Sequence, residues 1–121
     1  MEFFQKETVK KLILPGCVST QLVSPFNSTA SRVTLTDVKL EPGAVQPRHT
    51  HEESQQIWYA LEGTCTLLLS GEEEREFTEG EVVVFYEQEV HGAINRGEKT
   101  FRYISITNPP QNFSNNYDEV R

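Results

Sequence analysis

The chain has 121 residues, which suits one folded domain and is too short for two independent cores. Eighteen acidic residues against eleven basic ones give a net charge of −7. That balance argues against a nucleic-acid protein, which needs a basic face to neutralise phosphates, and gives no support for docking on anionic lipid.

Residues 1–16 form an N-terminal segment. It opens MEFFQKETVKK, which lacks the apolar stretch of a signal peptide, and no apolar run in the chain approaches the ~20 residues that span a bilayer. The two cysteines, Cys17 and Cys65, are too few for a disulfide scaffold, so the expected compartment is the cytoplasm. Phe3-Phe4 and Leu12-Ile13-Leu14 suggest an edge strand or a short helix, ended by Pro15-Gly16.

From 17 to 107 the sequence reads as β structure. Val33, Leu35, Val38 and Leu40 lie in short alternating stretches, and Glu41-Pro42-Gly43 is a turn. Ile57 to Leu61 is a dense strand candidate closed by Glu62-Gly63. Cys65 to Leu69 follows, closed by Ser70-Gly71, and Glu72-Glu73-Glu74 reads as the solvated tip of a hairpin. Glu79-Gly80 leads into Val82 to Tyr86, and Asn95-Arg96-Gly97 leads into Phe101 to Ile106. Strand-like runs at roughly 10-residue spacing indicate an all-β sandwich or barrel. The stretch 108–121 has two prolines, four asparagines and no periodicity, and is expected to be a tail.

The histidines carry the chemistry. There are three: His49, His51 and His91. In a strand, residues two apart project from one face, so His49 and His51 are expected to converge beside a sheet. His91 follows another strand pattern, and barrel closure can bring it over the pair. Neutral imidazole is a ligand for Zn, Cu, Fe and Ni. By itself an H-x-H pair is a weak signal, and its bland alternative is surface or core decoration.

The wider pattern is more specific. Gly43, five residues, His49-Thr50-His51, four residues, Gln56, six residues and Gly63 resemble the first motif of the cupin superfamily, G(X)5HXH(X)3–4E(X)6G. Gln56 stands where that motif has glutamate. Gly80, His91 and Asn95 fall at the spacings of the second motif, G(X)5PXG(X)2H(X)3N, with Tyr86 and Gln88 replacing its proline and second glycine. The resemblance implies an antiparallel double-stranded β-helix, or jelly-roll barrel, spanning 17–107. It implies one divalent transition metal (Zn, Fe, Mn, Ni or Cu) held by His49, His51, Gln56 and His91. It implies a structural role for Asn95, and a homodimer.

With Gln56 in place of glutamate, a divalent site keeps a formal charge of +2 rather than +1. It should then favour an anionic or chelating oxygen ligand, while a first-shell general base becomes less available. Glu52, Glu53, Glu87 and Glu89 read as solvated loop residues. Trp58, two residues from Gln56, is a candidate pocket wall, as are Tyr86 and Tyr103. The cysteines carry no signature of a nucleophile, and no GxGxxG or Walker A pattern occurs. The expected function is a metal-dependent enzyme on a small oxygenated organic or sugar-type substrate, by dioxygenase, isomerase or lyase chemistry. The alternative is a sensor-like barrel that binds a small ligand without turnover, here with no DNA-binding domain attached. A metal-free structural barrel fits the histidine set least.

Overall fold

The computed structural model describes residues 1–110. Ten strands follow in order: β1 Lys11–Leu14, β2 Cys17–Val23, β3 Thr34–Leu40, β4 Val45–His49, β5 Gln55–Glu62, β6 Thr64–Leu69, β7 Glu74–Thr78, β8 Val82–Phe85, β9 His91–Ile94 and β10 Phe101–Asn108. They form a six-stranded sheet, β1-β2-β3-β10-β5-β8, and a four-stranded sheet, β4-β9-β6-β7. Every pairing is antiparallel. This is the all-β architecture expected from the strand spacing and, more specifically, the double-stranded β-helix that the cupin resemblance implies. Of the two alternatives for the N-terminal segment, Lys11–Leu14 forms a strand, β1, at the edge of the larger sheet, preceded by a 3-10 turn at Lys6–Thr8. The tail lies outside the described residues from 111 onward.

Alternation sets the faces. On β5, Gln56, Trp58 and Ala60 are buried while Gln55, Ile57 and Tyr59 are exposed. On β10, Phe101, Tyr103, Ser105 and Thr107 are buried, with Arg102, Ile104 and Ile106 between them half-buried. The inward side chains meet those of the smaller sheet in one core that includes Val38, Leu40, Trp58, Leu67, Phe77, Phe85, Phe101 and Tyr103. Burying a large apolar side chain contributes about 1.5–3 kcal/mol, so these residues dominate the stability of a barrel this small.

Glycines close the turns where the backbone enters the left-handed region. Gly63 is the most constrained: its φ is +80°, and a Cβ would come within 2.6 Å of the Thr100 carbonyl oxygen. Asn95 is buried and structural. Its amide donates to the Leu40 and Lys99 carbonyls, and its Oδ1 accepts from the Gly97 N–H. Those bonds tie the end of β9 to β3 and to the turn before β10.

Candidate metal centre

The three histidines come from the smaller sheet and its loops, and Gln56 comes from the larger one. His49 ends β4 and is the register partner of His91 at the start of β9. Antiparallel pairing thus joins residues that are far apart in sequence. His51 does not share a regular strand with His49, contrary to the simple i, i+2 expectation. The β4–β9 register shifts between Gln46 and His49, β4 ends at His49, and His51 lies in the following loop. Pro47 has no N–H to offer the ladder, so the register shifts beside the histidines. The loop is held from the other side, where the Gln88 N–H donates to the His51 carbonyl at 2.8 Å.

The rings nonetheless converge. Ring centroids are 4.9 Å apart for His49–His51, 4.4 Å for His49–His91 and 5.1 Å for His51–His91. One nitrogen from each lies within 4.8 Å of the others, close enough for a single ion to be shared. Phe85 stacks on His91 at 4.3 Å with the planes 8° apart, fixing that ring.

Hydrogen bonds set the tautomers. His49 Nδ1 lies 2.8 Å from the Pro47 carbonyl and His91 Nδ1 lies 3.1 Å from the Glu89 carbonyl. A carbonyl oxygen only accepts, so His49 Nδ1 carries the proton and its Nε2 presents a lone pair, whereas His91 meets an oxygen at each ring nitrogen and can donate to only one of them. Burial lowers the His49 pKa, against the Pro47 hydrogen bond. Burial also lowers that of His91, with repulsion from His49 and His51 adding to it, down to about 3. Both rings are therefore neutral at pH 7, as metal ligation requires.

Gln56 is oriented by its neighbours. Trp58 Nε1–H donates to Gln56 Oε1 at 3.2 Å, and Gln56 Nε2 donates to Thr107 Oγ1 at 3.0 Å. An indole N–H is only a donor, so the amide atom that it meets is the oxygen. That oxygen also lies 3.1 Å from His91 Nε2. A neutral imidazole has one proton, and His91 faces two oxygens. With Nδ1–H given to Glu89, the Nε2 and Gln56 Oε1 lone pairs point at each other. A cation between them removes that repulsion. The donor set, three imidazoles and an amide oxygen, suits a divalent transition metal.

Trp58 is buried beside the triad, stacked on Tyr103 at 4.2 Å, and its ring centroid is 5.8 Å from that of His91. Tyr103 is buried too, and its hydroxyl donates to Gln46 Oε1 at 2.8 Å. Tyr86 does not line this interior. It is 56% exposed, and strand alternation places it with Val82 and Val84 on the outer face. Glu52, Glu53, Glu87 and Glu89 are exposed. Glu87 accepts from Gln55 Nε2 and Glu89 from the Tyr86 N–H, so both secure loops near the site. Arg48 turns away from the histidines and donates to the Leu69 carbonyl. Burial pushes the Cys65 thiol up to about 12, which leaves it unreactive.

Sequence reasoning missed Gly92. A Cβ there would come within 2.6 Å of the Gln46 carbonyl oxygen and 2.9 Å of the Pro47 carbonyl carbon. Only glycine lets β4 approach β9 closely enough to seat His49 beside His91. Its position directly after a histidine was the one available signal.

Comparisons with known proteins agree with this fold. The structure of KdgF from Halomonas sp. superposes with a TM-score of 0.78 at 25% identity, covering 93% of this chain and 96% of that one. The polyketide cyclase RemF from Streptomyces resistomycificus gives 0.77 at 25% identity, covering 89% of this chain and 79% of that one. Ectoine synthase from P. lautus gives 0.80 at 19% identity, over 98% of this chain and 86% of that one, a likeness of fold alone. No curated protein matches the sequence. The family model described as "Cupin domain" matches residues 36–107, more than half of the chain and all four candidate ligands, and the chain therefore belongs to the cupin family.

Proposed function

We propose that this cupin is a metal-dependent enzyme acting on a small oxygenated organic substrate, with His49, His51, His91 and Gln56 holding one divalent transition metal. The observation that carries this reading is the convergence of three imidazoles, one nitrogen from each within 4.8 Å of the others, with Gln56 Oε1 3.1 Å from His91 Nε2. Bound there, the metal supplies Lewis acidity toward a chelating oxygen. The chain's own residues orient that centre. The Pro47 carbonyl holds His49 in the Nε2-presenting tautomer, the Glu89 carbonyl is placed to take the His91 Nδ1 proton when Nε2 ligates, and Trp58 with Thr107 orients the Gln56 amide. Outer hydrogen bonds of this kind typically contribute 10–100-fold to metal affinity. The polyketide cyclase RemF, at 25% identity, supports a catalytic reading over a sensor.

Elemental analysis of the purified protein tests it. The wild type should carry close to one metal per chain after reconstitution, and His51→Ala and His91→Ala should each lose it. Iron would direct assays to oxygen consumption, and zinc, nickel or manganese to isomerase or lyase chemistry. Absence of metal after reconstitution would refute the reading and favour a metal-free ligand-binding barrel.

The proposal includes a homodimer working in the cytoplasm. Ile57 and Tyr59 of β5 are in register with Val84 and Val82 of β8, and all four are exposed on the outer face of the six-stranded sheet. An isologous pairing would cover this exposed apolar strip, which supports the dimer reading. Val84→Lys should convert a sedimenting dimer to a monomer. A wild type that already sediments as a 13.8 kDa species would overturn the dimer.

A further inference from the structure

The inner face of the six-stranded sheet changes character along its strands. At one end Cys17, Leu40 and Phe101 are in register and belong to the apolar core. Toward the histidines two successive cross-strand rows turn polar. Gln21, Thr36 and Ser105 form one row, which ends on Trp58. Thr34 and Thr107 form the next, which ends on Gln56. All five polar side chains are buried. Those on β3 and β10 share strand parity with the core residues Val38, Leu40, Phe101 and Tyr103, so they face the interior.

Packing alone does not call for this. Burying a hydroxyl or carboxamide is unfavourable unless it is hydrogen-bonded, and valine or alanine would fill the same positions without that cost. Thr107 is used by Gln56, and Gln21 donates to Ser19 Oγ at 2.8 Å. Thr34 Oγ1, by contrast, is buried with no hydrogen-bond partner among the described residues. Among the described residues, the one buried Asp, Glu, Lys or Arg is Asp37. It has the opposite parity, on the outer face, bound by Arg102 and Lys6. The interior beside Gln56 is therefore polar and uncharged.

We infer that Gln21, Thr34, Thr36 and Ser105 form a recognition shelf for the uncharged, hydroxyl-bearing part of a polyhydroxylated substrate. The inference rests on the metal-centre reading only for the chelating end of that substrate. Hydroxyls and a carboxamide both donate and accept, which matches a substrate hydroxyl. An anionic tail would call for an Arg or Lys on this face. An apolar tail would leave the buried polar groups without partners, and sites built to bind a hydroxyl reject analogues that lack it.

Three six-carbon probes with the same 2-hydroxycarboxylate head test the shelf: gluconate, with a polyol tail; 2-hydroxyhexanoate, with an apolar tail; and glucarate, with a second carboxylate. Dissociation constants are measured on cobalt-loaded and metal-free protein, by calorimetry or ligand-observed NMR. Gluconate should bind at least about tenfold more tightly than either competitor. Thr36→Val with Ser105→Ala should remove that preference without weakening 2-hydroxyhexanoate. Thr34→Val provides a readout independent of ligand: removing a partnerless buried hydroxyl should leave Tm unchanged or raise it. Equal binding of the three probes, preference for an apolar or anionic tail, no binding of any probe, or a Tm lowered by Thr34→Val would each overturn the shelf. Failure to take up cobalt, with the gluconate preference intact on metal-free protein, would overturn the metal reading alone.

Discussion

Replacing Asp37 by alanine should destabilise the fold by about 3 kcal/mol, the lower end for breaking a buried ion pair. Asp37 is 2% exposed on β3, yet it takes Arg102 Nε–H at 2.9 Å on Oδ1, and Lys6 Nζ lies 3.2 Å from Oδ2. The two cations are partly exposed and can turn to water when the carboxylate goes, which keeps the cost at the low end. Lys6 lies in the 3-10 turn ahead of β1, so the carboxylate also fastens the N-terminal segment to the sheet. Burial opposes the Asp37 charge, but hydrogen bonds from Arg102 and Lys6 outweigh it and hold the pKa below the ordinary 3.8. Its contribution is therefore complete above that value and lost as pH falls through the folded pKa. Urea unfolding at pH 7 and in acid should show a larger stability loss in the wild type than in Asp37→Ala. The buried histidines, whose pKa values are lowered, also cost stability in acid, but they do so in both proteins and cancel in the comparison. Identical urea midpoints at pH 7 would refute the assignment. Asp37→Leu combined with Arg102→Met should recover much of the loss, because a well-packed apolar pair avoids the desolvation cost.

Gly92→Ala should lower metal affinity at least about tenfold while costing roughly 1–3 kcal/mol of stability. The added methyl would meet backbone, the Gln46 carbonyl oxygen and the Pro47 carbonyl, at 2.6–2.9 Å. Backbone cannot swing aside as a flexible side chain can, so β4 must move. The Pro47 carbonyl holds His49 Nδ1, and its displacement would draw His49 away from His91. Gly80→Ala is the control. Its φ is +89° but nothing lies within 4 Å of an added Cβ, so it should cost about 1 kcal/mol and leave metal binding intact. Cobalt titration of the two variants separates the effects. Wild-type affinity in Gly92→Ala would show that close β4–β9 packing does not position His49.

Much of this architecture was readable before any pairing was known. The alternation at Gln56, Trp58 and Ala60 and at Phe101 and Tyr103 assigned those residues to one face, and they are buried together. The resemblance to the cupin motifs singled out His49, His51, Gln56 and His91; the three imidazoles do cluster, and Gln56 Oε1 lies beside His91. Tyr86 was misjudged because an aromatic residue beside a strand carries no sign of which face it takes until the parity of Val82 and Val84 is known. Gly92 was passed over because a close backbone approach leaves no composition signal.

Strand positions and inward faces follow from period-two alternation, a local property of consecutive residues, and the sequence by itself determined them. Register is non-local, because it depends on which strands pair and where the ladder shifts. The tertiary structure alone decided that His49 stands opposite His91, that His51 reaches the site from a loop past Pro47, and that Thr34 and Thr36 lie beside Gln56 and Trp58 through β10. It also decided that Asp37, a charged residue in an otherwise ordinary strand, is buried, because Arg102 and Lys6 reach it from distant parts of the chain.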